Sequence, residues 1–207
     1  MNRELEQYIE RTVIPRYEEF DRAHGTEHVR TVIARSLVLA RPYDVSIEMV
    51  YTVAAYHDTG LALGREHHHI DAGRILFEDR KLRCWFSEQQ ICVMREAVED
   101  HRASSGHAPR SIYGRIVAEA DRCIEPQTIL RRTIQFGLAH YPQLDRQGHY
   151  DRFLKHLQEK YADGGYLRLW LPESDNAQPL AELRALIRTP DSLRRAFDRI
   201  FEEECGR

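Results

Sequence analysis

Apolar residues recur every three or four positions along nearly the whole chain, which is the spacing of one face of an α-helix. The first such repeat runs through Leu5, Ile9, Val13 and Tyr17. Strict alternation, the pattern of a half-buried strand, is almost absent. Helix breakers are also scarce, since eleven glycines and eight prolines make up about 9% of the 207 residues, against roughly 12% in an average protein. The sequence therefore predicts an all-α fold.

Capping residues and prolines divide this pattern into ten helices. The first bends near Pro15, and the second begins near Thr26 and ends before Pro42. The third helix is capped by Ser46 and is apolar almost throughout, so we expect it at the centre of the fold. The others are expected over residues 67–79, 87–100, 111–123, 126–140 and 147–162, with two more divided by Pro190.

The chain contains no internal repeat and no low-complexity linker, and a break in the helical pattern near residues 141–147 is the best candidate for a domain boundary. We expect residues 1–141 to form one helical domain with its core over about residues 22–140. Residues 142–207 would form a C-terminal helical extension packed on it, as a cap or an oligomer surface. Within the extension, residues 164–176 are expected to be irregular or to hold a short strand.

Composition narrows the functional classes. With 30 Lys and Arg against 33 Asp and Glu, the formal charge is −3, which argues against a polymeric nucleic-acid partner. The longest mostly apolar stretch, residues 49–55, is too short for a membrane span, and the N-terminus lacks a signal sequence. The four cysteines form no CxxC pair. We therefore expect a cytoplasmic protein with reduced thiols and no membrane partner.

Side chains of metal-ligand type stand where the apolar helix faces end. His57 and Asp58 directly follow the apolar face of the third helix. A buried carboxylate without a partner costs several kcal/mol, and a divalent cation would serve several such groups at once. A lone histidine on an apolar face is more often a hydrogen-bonded core residue, so the argument rests on the conjunction. The other members, on four further helices, are His28, His68, His101 and Asp121.

Three segments carry a family resemblance: HGTEHVRTV with His28, AAYHDTGLAL with His57 and Asp58, and VAEADR with Asp121. In this order they resemble the HD-domain metal-dependent phosphohydrolase superfamily, over roughly residues 22–140. The resemblance implies an all-helical HD-type domain, here residues 1–141, that holds a divalent metal ion through these four side chains. The choice among Mn, Fe, Ni, Zn, Co and Mg is left open.

Two further segments resemble accessory positions of the same superfamily. HHHIDAGRIL contains His68, with His67 as the alternative register, and AVEDHRASS contains His101. If both histidines bind metal, a second ion fits, bridged by Asp58; otherwise they would bond a phosphate or act as general acid. Asp58, His68 and His101 are thus the catalytic candidates. Arg102 and Arg122 are the candidates for binding the phosphate.

The expected function is hydrolysis of a phosphomonoester or phosphodiester of a small molecule, a nucleotide by preference, by metal-activated water. One alternative is a di-iron oxygenase on the same helical frame, which requires metal at both His68 and His101. A second alternative is a module that binds a nucleotide without turnover. A third is a helical scaffold in which the histidines have no functional role. Assembly into a homo-oligomer stays open.

Overall fold

A computed structural model describes residues 1–21 and 23–206 of the chain. Over these residues it contains ten α-helices and no strand, so the prediction of an all-α fold is confirmed. Short 3₁₀ helices cover Ile14–Glu19, Thr59–Leu63 and Arg80–Cys84. The α-helices are α1 (Arg3–Thr12), α2 (Thr26–Leu39), α3 (Ile47–Tyr56), α4 (His68–Glu78), α5 (Glu88–Glu99), α6 (Ile112–Asp121), α7 (Pro126–His140), α8 (Arg146–Lys160), α9 (Ala177–Ile187) and α10 (Pro190–Cys205).

Two helix starts follow the capping signals in the sequence, whereas the second helix is capped by Gly25 and not by Thr26. The Ser46 hydroxyl accepts a hydrogen bond from the Met49 amide at the start of α3. At the start of α5, Ser87 and Gln90 form a reciprocal capping box. The first helix gives way to a 3₁₀ helix that contains Pro15, where the bend was expected. Residues 164–176 contain turns and, as far as the structure describes them, no strand.

The chain divides into two compact units. The first comprises Met1–Arg122 and Trp170–Ser174, and the second comprises Cys123–Leu169 and the chain from Asp175 onward. This division falls earlier than the boundary expected near residues 141–147, because α7 contributes to the core of the second unit. Residues expected to continue the first domain as far as 141 therefore belong to the second unit.

In the first unit α3 is the central helix, as its apolar sequence predicts. All of its residues from Met49 to Tyr56 are buried, and it contacts α1, α2, α4, α5 and α6. A helix surrounded on every side has no solvent-facing stripe, which explains its uninterrupted apolar sequence. Its carboxyl end therefore delivers the residues that follow, His57 and Asp58, into the interior of this unit.

Gly60 allows the turn after α3 to lie against α4. A Cβ atom at this position would lie 2.6 Å from the amide nitrogen of Ala72 and would overlap the carbonyl oxygen of His68. Only glycine fits such a close approach of two backbones. The contact fixes the first turn of α4 beside the segment that carries Asp58.

The first unit also includes a distant stretch of chain, residues 170–174. Leu171 is buried in its core, and the Trp170 amide donates a 2.7 Å hydrogen bond to Oε2 of Glu119. The hydroxyl of Ser174 donates to the other carboxylate oxygen of Glu119. Both acceptor atoms of a fully buried side chain on α6 are thus bonded by this stretch.

The second unit has a hydrophobic core of its own, contributed by α7 to α10. Its fully buried side chains are Leu130, Phe153, Leu157, Leu183, Leu193 and Phe197. Within the described part of the chain, no helix is long and apolar enough to cross a membrane.

Candidate metal centre

The carboxylate of Asp58 lies between two pairs of histidines. Its Oδ2 atom is 3.2 Å from Nε2 of His57 and 3.6 Å from Nε2 of His28. Its Oδ1 atom is 3.4 Å from Nε2 of His101 and 3.6 Å from Nε2 of His68. Each oxygen therefore faces a different pair of imidazole nitrogens.

Five helix ends bring these side chains together. His28 stands in the first turn of α2, and His57 caps the carboxyl end of α3. His68 is the first residue of α4, and His101 follows the residue that caps α5. Asp121 is the last residue of α6. Because each of these side chains stands at the end of its helix, the helices can pack against one another through their apolar faces. Their polar ends then lie close together.

Asp121 completes the side of the cluster occupied by His28 and His57. Its Oδ1 atom is 3.2 Å from Nε2 of His28 and 3.7 Å from Nε2 of His57. All six predicted ligand residues are thus in one cluster. Within it, His28, His57 and Asp58 form a first ligand group and Asp58, His68 and His101 a second, each with ligand atoms within 4.8 Å of one another.

Three of the rings are fixed by the same backbone contact. Nδ1 of His57 bonds the carbonyl oxygen of Ala54 at 2.8 Å, Nδ1 of His68 bonds that of Arg65 at 2.8 Å, and Nδ1 of His101 bonds that of Val98 at 2.6 Å. A carbonyl oxygen only accepts, so Nδ1 carries the proton in each ring. The Nε2 lone pair of the neutral ring then points at Asp58, which is the arrangement of a metal-binding histidine.

This donor set fits a divalent cation. Imidazole lone pairs and carboxylate oxygens repel one another at 3.2–3.6 Å unless a cation or a proton lies between them. Asp58 is 4% exposed and His57 is fully buried, so water screens this repulsion little. Nitrogen and oxygen ligands of this kind suit zinc, iron, manganese, cobalt or nickel.

The pKa values of the cluster are shifted in the directions that favour negative carboxylates beside positive groups. Burial raises the pKa of the Asp121 carboxyl, but the hydrogen bond to His28 and the electrostatic interaction with His57 outweigh burial and lower it to about 2. Burial lowers the pKa of His28, but hydrogen bonds to Asp121 and Asp58 raise it to about 10. Burial likewise raises the pKa of Asp58, but the facing histidines outweigh burial and lower it. Positive charge beside Asp58 and Asp121 thus favours their ionised carboxylates.

The structure distinguishes among the three consecutive histidines at 67–69. His68 faces Asp58, whereas the side chain of His67 is 71% exposed and lies 3.7 Å from a carboxylate oxygen of Glu66. His69 follows His68, and its buried Nδ1 atom has no hydrogen-bond partner in the described part of the chain. The register that places His68 at the accessory position is therefore the one that the fold adopts.

The two arginines predicted to bind phosphate have different surroundings. Nη1 of Arg102 donates to the carbonyl oxygen of Glu66 at 2.6 Å, and its charge contributes to a lowered pKa of His68, after burial and the charge of His101. Arg122 is buried, lies 3.3 Å from Oε2 of Glu119 and covers the ring of Trp170. Arg102 therefore lies beside the cluster, whereas the guanidinium of Arg122 contacts Glu119 and Trp170.

Two features near the cluster were not expected from the sequence. The buried Tyr17 hydroxyl donates to the Ala55 carbonyl oxygen at 2.9 Å and accepts the Asp58 amide at 3.2 Å, so it fixes the backbone at the end of α3. Arg65 lies 3.2 Å from a carboxylate oxygen of Asp21, which also bonds His24 at 2.8 Å. Tyr17 was assigned only to an apolar helix face, and no motif marks the pairing of Asp21 with Arg65.

A family comparison agrees with this geometry. Residues 25–124 match the model of the family described as "HD domain", and this range contains all six residues of the cluster. No curated protein and no solved structure matches the chain significantly. Residues 25–124 of the chain are therefore an HD domain.

Proposed function

We propose that this protein is a metal-dependent phosphohydrolase that cleaves a phosphomonoester or phosphodiester of a small molecule. The observation that carries the proposal is the position of Asp58, whose two oxygens are shared between two ligand groups. Such a bridging carboxylate places two metal sites side by side, which is an arrangement suited to phosphoryl transfer.

His28, His57, Asp58 and Asp121 would hold the first metal ion, and His68 and His101 would join Asp58 at the second. A divalent metal ion bound here would lower the pKa of a coordinated water and polarise a phosphoryl oxygen. The residues orient this chemistry, because Tyr17 holds the Asp58 amide and backbone carbonyls hold three of the rings. Should the second metal be absent, His68 and His101 would instead donate hydrogen bonds to the phosphate or a proton to the leaving group.

The substrate that we propose is a small phosphorylated molecule, with a nucleotide as first choice. Arg102 supplies a cation beside the second ligand group, where it would bind a phosphate oxygen. The formal charge of −3 gives no support to a polymeric nucleic acid as substrate.

Metal analysis of the purified protein, followed by a panel of phosphatase and phosphodiesterase substrates with Mn²⁺, Mg²⁺, Co²⁺ or Ni²⁺, tests the proposal. Asp58→Asn should lose both metal and turnover, because it removes charge from a ligand shared by both groups. Asp44→Asn, at an exposed position, is the matched control and should change neither. An Asp58→Asn variant that is active and metal-replete would refute the assignment.

The same observation supports one alternative function. A di-iron oxygenase requires metal at His68 and His101 together, and both face Asp58. Iron content after aerobic purification and substrate-dependent oxygen consumption separate this reading from hydrolysis. Release of phosphate without oxygen uptake would favour the hydrolase.

A further inference from the structure

The second unit contains a cavity of about 560 Å³ that is open to solvent, and its lining combines arginine with apolar side chains. This size lies within the range of pockets that bind small molecules. Its lining residues are Asp163, Arg168, Leu169, Ala177, Leu180, Ala181, Arg184 and Arg188. All of them belong to the second unit, and none belongs to the metal centre.

The spacing along α9 explains one wall of the cavity. Ala177, Leu180, Ala181 and Arg184 stand at intervals of three and four residues, so they share a face of the helix. Arg188 caps the end of that helix, one turn further on. The small alanines leave room beside the helix, and the arginines border that room at its carboxyl end.

The charge of the lining is unbalanced. Three guanidinium groups and a single carboxylate leave a surplus of two positive charges. Asp163 is shared, because it lies 2.7 Å from Nη1 of Arg188 and 3.7 Å from Nε of Arg184. The side chain of Arg168 forms no hydrogen bond or ion pair with a described residue. The surplus is therefore not neutralised within this unit's cavity lining.

Arg184 is held in an orientation that leaves donors free for a ligand. Its Nε atom donates to the carbonyl oxygen of Tyr161 at 3.0 Å. Because Nε is used in this way, the two Nη groups remain as a pair of donors with the fork geometry that suits phosphate or carboxylate. The side chain is 27% exposed, so its mobility and its hydration are both reduced.

We propose that this cavity binds a small organic phosphate. A phosphate monoester carries a charge of about −1.5 to −2 near neutral pH, which matches the surplus, whereas a monocarboxylate supplies only one charge. The phosphate would contact Arg168, Arg184 and Arg188. Its organic part would lie on the apolar surface of Leu169, Leu180 and the two alanines.

Titration of the full-length protein with phenylphosphonate, which resists hydrolysis, tests the charge of the cavity. Removing one guanidinium in Arg168→Ala should weaken binding about tenfold, because hydrogen bonds to charged groups are the strong ones. Arg195→Ala, on an exposed position of α10, should leave affinity within about twofold. Benzoate should bind more weakly than phenylphosphonate. Equal effects of the two arginine variants, or equal binding of the two probes, would overturn the proposal.

A second pair of variants tests the cavity without changing any charge. Ala181→Leu fills space in the lining and should weaken phenylphosphonate binding, whereas Ala139→Leu adds the same atoms to an exposed position of α7 and should not. Asp58→Asn in the metal centre should retain binding. Loss of binding in that variant would mean that the probe occupies the metal centre. That result, or no binding at concentrations on the order of 10 mM, would refute a site in the second unit.

Discussion

The Nε2 atoms of His28 and His57 lie 3.2 Å apart, with the two ring planes at 60°. Because Nδ1 of His57 bonds the Ala54 carbonyl oxygen, Nε2 of the neutral His57 ring can only accept. A proton on Nε2 of His28, or a metal ion, must therefore join the two nitrogens. The contact is therefore consistent with the raised pKa of His28.

The pH dependence of stability follows from this proton. Hydrogen bonds to Asp121 and Asp58 overcome burial and raise the pKa of His28 to about 10, above the value of about 6.5 for an unfolded chain. A raised pKa stabilises the folded state below the unfolded pKa, and that contribution is lost as pH rises towards the folded pKa. The metal-free protein should thus lose thermal stability between about pH 6.5 and 10.

Melting curves of the chelated protein across this range provide the measurement. The His28→Gln variant should show a flatter profile, because the titrating group is gone. Saturation with metal should flatten the profile of the wild-type protein too, since the metal ion takes the place of the proton. A chelated wild-type protein whose melting temperature is constant over this range would contradict the assignment.

Replacement of His101 should separate the two ligand groups. His101→Ala removes a member of the second group only, so the first metal should remain while turnover falls or the second metal is lost. Mass spectrometry gives the number of metal ions per chain, and an activity assay on the same sample gives the turnover. His107→Ala, on the exposed loop after His101, is the control. Complete loss of metal from His101→Ala would show that the ligands are sorted incorrectly.

Replacement of Gly60 should destabilise the fold, because the backbone of α4 leaves no room for a Cβ atom at this position. Gly60→Ala forces a Cβ atom against the backbone of α4, and overpacking of this kind costs about 1–3 kcal/mol. In a protein of this size, each kcal/mol lowers the melting temperature by about 2–4 °C. A Cβ atom at Gly106 meets nothing within 4 Å, so Gly106→Ala should have little effect. Equal melting temperatures of the two variants would argue against the close approach.

Arg110 should hold the loop that follows His101. Its backbone amide donates to Oδ2 of the buried Asp100 at 2.6 Å, and its guanidinium bonds Oδ1 of Asp100 at 3.0 Å and Glu99 at 2.7 Å. Arg110→Ala should therefore speed proteolysis of the loop at residues 102–109 and weaken the second metal about tenfold, as loss of a supporting contact does elsewhere. The first metal should persist.

Proteolysis and metal titration of Arg110→Ala are to be compared with Arg115→Ala, which changes an exposed arginine on the adjoining helix. Arg110→Lys retains the charge and should restore part of the loop's protection. If Arg110→Ala and Arg115→Ala are equally resistant to protease and bind metal equally, the loop is held by other contacts.

Much of the fold could be predicted because its signals are local. The ten helices follow from apolar spacing and from caps such as Ser46 and Ser87, which act within one turn. The residues of the cluster were identifiable for a related reason. Each stands where an apolar face ends, so that helices packed by those faces bring His28, His57 and Asp121 together.

Contacts between residues far apart in the chain were beyond sequence reasoning. Arg122 was a phosphate candidate because it follows Asp121, but Glu119 and Trp170 engage its guanidinium. The end of the first unit could not be predicted either. The apolar face of α7 predicts that this helix packs in a hydrophobic core, but it does not indicate which of the two cores. Which core α7 packs in depends on tertiary contacts, and the periodicity of apolar residues does not predict those contacts.

The return of residues 170–174 to the first unit makes the unit that contains the candidate metal centre discontinuous in sequence. A truncation at residue 122 or 141 would sever Trp170 and Ser174 from Glu119, leaving a carboxylate in an apolar interior with two of its bonding partners removed. Because Glu119 precedes Asp121 by two residues on one helix, that damage would fall beside the candidate metal centre. A minimal HD fragment of this chain must therefore be built by joining two separated pieces rather than by cutting once.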